Sequence, residues 1–124
     1  MKVKTGVDII EIDRIKESIE STNGEFCKRI YTDTEIQYCE NKHAQKYQHY
    51  AARFAAKEAV FKAISLILED KYEISWKEIE VLNSENGKPY VKIPEKYMNK
   101  IEDIDISISH CKDYAVANVV IVYN

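Results

Sequence analysis

The chain has 124 residues, of which 45% are hydrophobic and 31% are charged, the balance expected of one soluble globular domain. Its formal net charge of −3 disfavours general nucleic-acid binding, because duplex-binding domains carry a basic footprint. No apolar run approaches the length of a membrane span, and the first residues lack a signal-peptide pattern. We therefore expect neither a nucleic acid nor a membrane as partner.

The chain has three cysteines, Cys27, Cys39 and Cys111, an odd number at wide spacing. This arrangement predicts reduced thiols rather than a disulfide framework or a zinc site. We expect a cytoplasmic protein in which these side chains are small and buried.

The first segment, Met1 to Ile12, is predicted to be a strand with buried faces. Asp8 interrupts its centre, and a carboxylate among apolar neighbours costs free energy unless it is paired, hydrogen-bonded or metal-bound. Gly6 lies on the same strand face, and its missing side chain would leave room there for a ligand. The alternative is an Asp at the end of the strand that is hydrogen-bonded to the backbone.

Asp13 is placed to cap a helix that begins near Arg14 and ends in the polar loop at residues 21–24. A short helix is expected at residues 25–30. Thr32 and Glu35 match a capping box, which predicts a further helix to about residue 40.

The longest helix is predicted from Tyr50 to Leu68, a stretch rich in Ala without Gly or Pro. Apolar residues fall nearly all round it, which is typical of a buried central helix. Among its few charges, Glu58 and Lys62 are spaced four residues apart and lie on one face. They form either an ordinary helix-stabilising ion pair or part of a functional site.

In the C-terminal half, an Asn-Gly turn signal at residues 86–87 predicts a hairpin. The other segments expected there are short strands near residues 79–82 and 90–93, helical turns at 94–101, and strands at 104–108 and 114–122. The order of elements predicts an α+β fold, with the long central helix packed on a small antiparallel sheet. One domain spanning residues 1–124 is expected.

Four residues are candidates for chemistry: Asp8, Glu58, Lys62 and His110. Two carboxylates on different elements can hold Mg²⁺, which keeps several waters and takes further oxygen ligands from substrate phosphates. A lysine one turn from such a carboxylate would meet a phosphate, which is the equipment for phosphoryl-type transfer. His110 stands alone at the end of a strand, where a structural role is the alternative.

Three sequence blocks carry a family resemblance: GVDIIEIDRI at Gly6–Ile15, RFAAKEAVFKA at Arg53–Ala63 and ISISHCKDYAVA at Ile106–Ala117. Together with NGKPYV at residues 86–91 they resemble the holo-[acyl-carrier-protein] synthases of the 4′-phosphopantetheinyl transferase superfamily. The blocks occur in the family's order, and the resemblance covers nearly the whole chain.

The resemblance implies transfer of the 4′-phosphopantetheine arm of coenzyme A to a serine of apo-acyl carrier protein, in support of fatty acid biosynthesis. Asp8 and Glu58 match the family's Mg²⁺ ligands, and Lys62 matches a lysine near the coenzyme A pyrophosphate. Glu58 would also help to remove the serine proton. His110 matches a position near the nucleotide, and Arg14 matches a residue used against the acidic carrier. Homotrimers with active sites between subunits are implied as well.

The chain departs from the family pattern at two places. Ser65 and Ile67 occupy a stretch where the family often has a glycine-bearing loop, and Ala52 stands where Gly is common.

Two other functions are alternatives to the transferase. A magnesium nuclease usually carries its Glu and Lys on a strand, whereas Glu58 and Lys62 have helical spacing. A nucleotide-binding or carrier-binding module without catalysis would bind coenzyme A without turnover.

Overall fold

The computed structural model describes residues 1–124 and contains five helices, five strands and three short 3₁₀ turns. The strands are β1 (Lys2–Glu11), β2 (Glu80–Asn83), β3 (Pro89–Lys92), β4 (Asp103–His110) and β5 (Tyr114–Tyr123). The helices are α1 (Ile12–Ser21), α2 (Glu25–Ile30), α3 (Asp33–Glu40), α4 (Lys46–Ile64) and α5 (Glu95–Met98). The 3₁₀ turns are His43–Gln45, Ser65–Ile67 and Trp76–Glu78.

The main sheet has three antiparallel strands in the order β1-β5-β4. In this register Asp8 of β1 lies opposite Ala117 of β5, which in turn lies opposite Ile108 of β4. Strands β2 and β3 form a separate hairpin whose turn contains Gly87 at φ +87°, as the Asn-Gly signal predicts. The predicted α+β fold, with a long helix on a small antiparallel sheet, is confirmed.

Helix α4 packs on one face of the main sheet and is buried along most of its length. Its alanines allow the close approach, and the tightest contact is at Gly6 of β1. A Cβ atom at Gly6 would lie 2.0 Å from the Ala59 carbonyl oxygen. The predicted ligand space beside Gly6 is therefore wrong, because the helix backbone fills it.

The opposite face of the main sheet carries apolar side chains that no element of the chain covers. We call this surface the open sheet face; its residues are Val3, Thr5, Val7 and Ile9 of β1 with Val116, Asn118, Val120 and Val122 of β5. Val3, Val7 and Ile9 are 52%, 55% and 63% exposed. The prediction that both faces of the first strand are buried is therefore wrong for this face.

The helix ends differ from the sequence predictions at α1 and α4 and agree with them at the start of α3. Helix α1 begins at Ile12, and Asp13 lies in its first turn instead of capping it. Helix α4 begins at Lys46, earlier than expected, and ends at Ile64 before the 3₁₀ turn Ser65–Ile67. The capping box of Thr32 and Glu35 is present as predicted.

All three cysteines are free thiols, in agreement with the sequence. Cys27 and Cys39 are buried as expected, whereas Cys111 is exposed in the turn between β4 and β5. None of the helices has the length and apolar character that a membrane span needs.

Candidate functional site

Asp8 and Lys62 meet where β1 crosses the C-terminal half of α4. The Lys62 Nζ donates hydrogen bonds to Asp8 Oδ1 at 3.2 Å and to the Val7 carbonyl oxygen at 2.9 Å. The Asp8 side chain is 17% exposed and the Lys62 side chain 50% exposed. A half-exposed ammonium held beside a mostly buried carboxylate can still reach a ligand from the solvent side.

Glu58 lies one helical turn before Lys62, yet the ion pairs of the structure do not include it. The interpretation of Glu58 and Lys62 as an ordinary ion pair is therefore wrong. Partial burial raises the pKa of the Glu58 carboxyl, the nearby Asp8 carboxylate raises it further, and Lys62 opposes both effects. The two carboxylates thus lie within each other's electrostatic field on the same side of α4.

The donor set of Asp8 and Glu58 suits a hard divalent cation. Both side chains offer oxygen ligands, and their mutual repulsion would be relieved by a positive charge between them. No group of three or more His, Cys, Asp or Glu side chains that could hold a metal ion is present. These residues fit Mg²⁺, which is usually bound by one or two carboxylates together with waters and substrate phosphates.

A pocket of about 260 Å³ has Glu58 among its lining residues. Its apolar lining includes Phe61 of α4 together with Tyr72, Trp76 and Ile79. Glu58 therefore lines this pocket and also lies within the electrostatic field of Asp8 and Lys62.

His110 does not join the other three candidates within one chain. It ends β4, the edge strand opposite β1, and its ring centroid lies 6.1 Å from that of His49. His49 packs in turn on Tyr38, whose ring also carries the Arg53 guanidinium at 3.9 Å. The result is a second, cationic and aromatic cluster near the N-terminal half of α4.

The four basic residues Arg14, Lys16, Lys28 and Arg29 are all exposed on α1 and α2. Arg14 is therefore accessible from the solvent, as contact with a carrier protein would require. Arg14 and Lys16 lie on α1, which follows directly on β1, the strand that carries Asp8.

The residues that depart from the family pattern lie in the 3₁₀ turn after α4 and inside α4 itself. Ser65 lies in the 3₁₀ turn after α4, where its hydroxyl donates to the Lys62 carbonyl oxygen at 3.0 Å. Ile67 ends the same turn. Ala52 is 5% exposed inside α4, where alanine is a better helix former than glycine.

Sequence reasoning missed the ion pair between Lys57 and Glu35, in which both side chains are 0% exposed and the atoms lie 2.8 Å apart. Lys57 was visible as a charge on a helix of otherwise alanine-rich character, which is the signal that could have identified it. Its partner could not be read from the sequence, because Glu35 already has a local role in the capping box.

Comparison with known proteins gives the family of this chain. Residues 4–119 match the family model described as the 4′-phosphopantetheinyl transferase superfamily. A holo-[acyl-carrier-protein] synthase of Ruminiclostridium cellulolyticum is 46% identical over 126 residues, which cover 98% of this chain and 92% of that protein. One of Thermodesulfovibrio yellowstonii is 47% identical over 116 residues, which cover 94% and 95%.

A solved structure gives the same result for the fold. The Helicobacter pylori holo-[acyl-carrier-protein] synthase in complex with coenzyme A is 30% identical and superposes with a TM-score of 0.82, covering 94% of this chain and 98% of that one. Together with the span of the family model, these identities show that the chain belongs to the 4′-phosphopantetheinyl transferase superfamily, among the holo-[acyl-carrier-protein] synthases.

Proposed function

We propose that the chain transfers the 4′-phosphopantetheine arm of coenzyme A to a serine hydroxyl of apo-acyl carrier protein, releasing adenosine 3′,5′-bisphosphate. The names of its relatives and the coenzyme A complex of a structural neighbour support this activity. The observation that carries the proposal is the convergence of Asp8, Glu58 and Lys62 on one side of α4. A supply of holo-carrier would serve fatty acid biosynthesis.

Asp8 and Glu58 are proposed as the ligands of Mg²⁺. When bound, this cation would neutralise charge on the coenzyme A pyrophosphate, which is the main requirement of phosphoryl-type transfer. The support is the pair of oxygen donors: partial burial raises the pKa of Glu58, and the nearby Asp8 carboxylate raises it further. A third protein ligand is not needed, because phosphate oxygens and waters complete such sites.

Lys62 is proposed to contact the transferring phosphate. Its ammonium is half-exposed and is held over β1 by Asp8 and the Val7 carbonyl. A preorganised cation beside the phosphate would stabilise the charge that develops in the transition state.

Glu58 is proposed to take the proton of the carrier serine, directly or through a water. A carboxylate with a raised pKa is a stronger base than an ordinary one, provided that it is ionised at the working pH. Partial burial and the neighbouring Asp8 both act in this direction.

The active enzyme is proposed to be a homotrimer with sites between subunits. Two observations support assembly: the open sheet face leaves Val3, Val7 and Ile9 more than half exposed, and His110 lies at the sheet edge opposite the strand of Asp8. A neighbouring copy packed on the open sheet face could bring its own edge strand toward Asp8, Glu58 and Lys62. His110 would then serve the nucleotide of coenzyme A across the interface.

Arg14 is proposed to bind the acidic carrier protein. The chain is itself acidic, so docking needs a local basic surface, and Arg14 and Lys16 present one on α1. Residues 1–124 are proposed to act as one domain, because α4 contributes to the core on both of its sides. Three free thiols suit a reducing, cytoplasmic setting.

Mass spectrometry of apo-acyl carrier protein incubated with coenzyme A, Mg²⁺ and this protein tests the function. The expected result is a carrier heavier by one phosphopantetheine group, with release of adenosine 3′,5′-bisphosphate. Coenzyme A binding without any mass change would instead identify a binding module, and the transferase assignment would fail.

A further inference from the structure

The ammonium of Lys57 is fully buried and fully hydrogen-bonded. It lies 2.8 Å from Glu35 Oε1 and donates to the carbonyl oxygens of Trp76 at 3.0 Å and Ile79 at 2.5 Å. An ammonium has three N–H donors, so these three acceptors use all of them. The Lys57 ammonium therefore links α4 to residues that are distant from it in sequence.

A contribution to folding stability does not by itself explain why a buried ion pair is present at Lys57. Taking two charges out of water is costly, and apolar residues of similar size in place of a buried ion pair are often neutral or stabilising. Lys57 lies among buried alanines of α4, where an apolar side chain would be unremarkable. The charged pair therefore has its effect on the arrangement of the elements that it joins.

The two residues whose carbonyl oxygens accept from Lys57, Trp76 and Ile79, both line the pocket beside Glu58. Trp76 and Ile79 flank the 3₁₀ turn Trp76–Glu78, so both ends of that turn are held against α4. The other oxygen of Glu35 accepts the backbone N–H of Val81 at 2.8 Å, which ties the start of β2 to the same point.

The helix side of the pocket consists of Lys57 and its near neighbours Glu58 and Phe61. Trp76 stands across from them and stacks on Phe54, with ring centroids 5.2 Å apart. Because residues of α4 and Trp76 line the same pocket, a change in the distance between them would change its shape. Lys57 is the polar link that spans this distance, one residue before Glu58.

We propose that Lys57, paired with Glu35, is a positioning residue for the transfer, because it fixes the Trp76–Glu78 turn and so sets the width of the pocket next to Glu58. The proposal rests on the proposed function, since the pocket is taken to receive substrate at the reacting centre. Lys57 would then affect the binding of coenzyme A through the position of Trp76, without touching coenzyme A itself.

The test separates positioning from folding. Lys57→Met alone leaves Glu35 as an unpaired buried carboxylate and should destabilise the fold strongly. The double variant Lys57→Met with Glu35→Gln removes both charges and should recover most of the lost melting temperature. Lys57→Arg, which keeps the charge opposite Glu35 but changes the geometry of the donors to the Trp76 and Ile79 carbonyl oxygens, provides the same test if the double variant fails to fold.

Trp76 is the single tryptophan of the chain, so intrinsic fluorescence reports directly on the turn. We expect the double variant to show red-shifted emission and stronger acrylamide quenching. Its kcat/KM per folded molecule should fall on the order of 10²-fold, the scale of a displacement of about 1 Å at a reacting centre. The loss should appear in the KM for coenzyme A, while the KM for the carrier stays nearly unchanged.

Lys46→Met is the matched control on α4, because it breaks a partly exposed pair, the one with Glu40 of α3 at 3.3 Å. It should change neither fluorescence nor kinetics. A double variant with wild-type Trp76 fluorescence, or with wild-type kcat/KM per folded molecule, would overturn the proposal. If the wild-type protein transfers nothing, the proposed function fails, and the fluorescence comparison still decides whether Lys57 positions the turn.

Discussion

Lys62 hydrogen-bonds to Asp8 of β1 at 3.2 Å, although Glu58 lies one turn before it on the same helix. The ammonium therefore links the strand to the helix, and it leaves the Glu58 carboxylate without an ion-pair partner. The carboxylates of Asp8 and Glu58 and the ammonium of Lys62 are brought together in this way. The Glu58 carboxylate remains available to a further positive charge.

Replacement of Lys62 by Ala should lower turnover by roughly 10²-fold, because a preorganised cation beside the phosphate is lost. The Mg²⁺ requirement should not rise, since Asp8 and Glu58 then carry their negative charge without a competing ammonium. Transfer rates measured across a Mg²⁺ titration test both parts, with the exposed Lys100→Ala as control. A parallel increase in the Mg²⁺ requirement would show that Lys62 acts through the metal site.

Gly6→Ala should prevent β1 from packing on α4. The new Cβ would lie 2.0 Å from the Ala59 carbonyl oxygen and 3.0 Å from the Ala63 nitrogen, and backbone atoms cannot give way cheaply. We expect a loss of about 3 kcal/mol or more in the free energy of unfolding, at the upper end of overpacking costs. Urea denaturation measures it, with Gly24→Ala as comparison.

Gly24 has φ +92°, and a Cβ atom added there would have nothing within 4 Å, so alanine costs only backbone strain. That strain is about 1–2 kcal/mol for a residue in the left-handed region. Equal destabilisation by the two substitutions would mean that β1 and α4 can separate without loss of the fold.

The central helix and the positions of its charged residues could be predicted from the sequence because the signals are local. Alanine content and the absence of Gly and Pro mark α4, and the spacing of Glu58 and Lys62 fixes their common face. Asp8 was identified because a carboxylate within an apolar strand is costly. The structure places these three side chains together, as a functional site requires.

The features that could not be predicted depend on which elements pack together. The Lys57–Glu35 pair joins residues whose neighbours in sequence give no hint of each other. The role of Gly6 was misread because the sequence shows a missing side chain but not that a helix backbone fills the space. The Asp13 cap was wrong because the strand runs to Glu11 and passes into α1 without a break.

Val120→Glu should disrupt assembly through the open sheet face. Val120 lies at the centre of that face, between Thr5 and Asp105 in the strand register. A carboxylate there would be buried in the assembly and would stand directly opposite Asp105, where like charges repel. Light scattering should show a trimer for the wild type and a monomer for the variant, with activity lost alongside.

Val120→Thr is the matched control, because it keeps the branched shape and the strand propensity without adding charge. It should remain trimeric. A Val120→Glu protein that is monomeric and fully active would contradict the proposal that the site is completed between subunits.

Arg14→Glu should raise the KM for the carrier protein much more than the KM for coenzyme A. Arg14 is exposed on α1, away from the pocket beside Glu58, so only the carrier interface changes its charge. Added salt should weaken carrier binding by the wild type and have less effect on the variant. Steady-state kinetics with each substrate varied measures the split, and equal effects on both KM values would refute the assignment. Lys100→Glu makes the same charge change at another exposed position and should leave both KM values near wild type.

Glu58→Gln should abolish most transfer activity and yet keep the helical circular dichroism of the wild type. Glutamine preserves the size of the side chain and removes the charge that a metal and a proton acceptor need. Residual activity should require far more Mg²⁺, since Asp8 alone would remain as a ligand. Glu85→Gln, in the exposed turn of the β2–β3 hairpin, is the matched control and should behave as wild type.

The same variant should be more stable than the wild type at neutral pH when no metal is present. Partial burial, then Asp8, raise the pKa of the Glu58 carboxyl above its usual value of 4.5, with Lys62 opposing. Below that usual value the Glu58 carboxyl is neutral in both the folded and the unfolded chain. Its neutral form then makes its full favourable contribution to the stability of the fold. This contribution is lost as the pH rises through the raised pKa, because ionisation is then costlier in the folded chain. Melting temperatures of the two proteins should therefore coincide near pH 4 and separate in favour of Glu58→Gln toward neutral pH.

Mg²⁺ should raise the melting temperature of the wild type and have little effect on the variant. A Glu58→Gln protein that is fully active per folded molecule, or that melts below the wild type at neutral pH without metal, would show that Glu58 is structural.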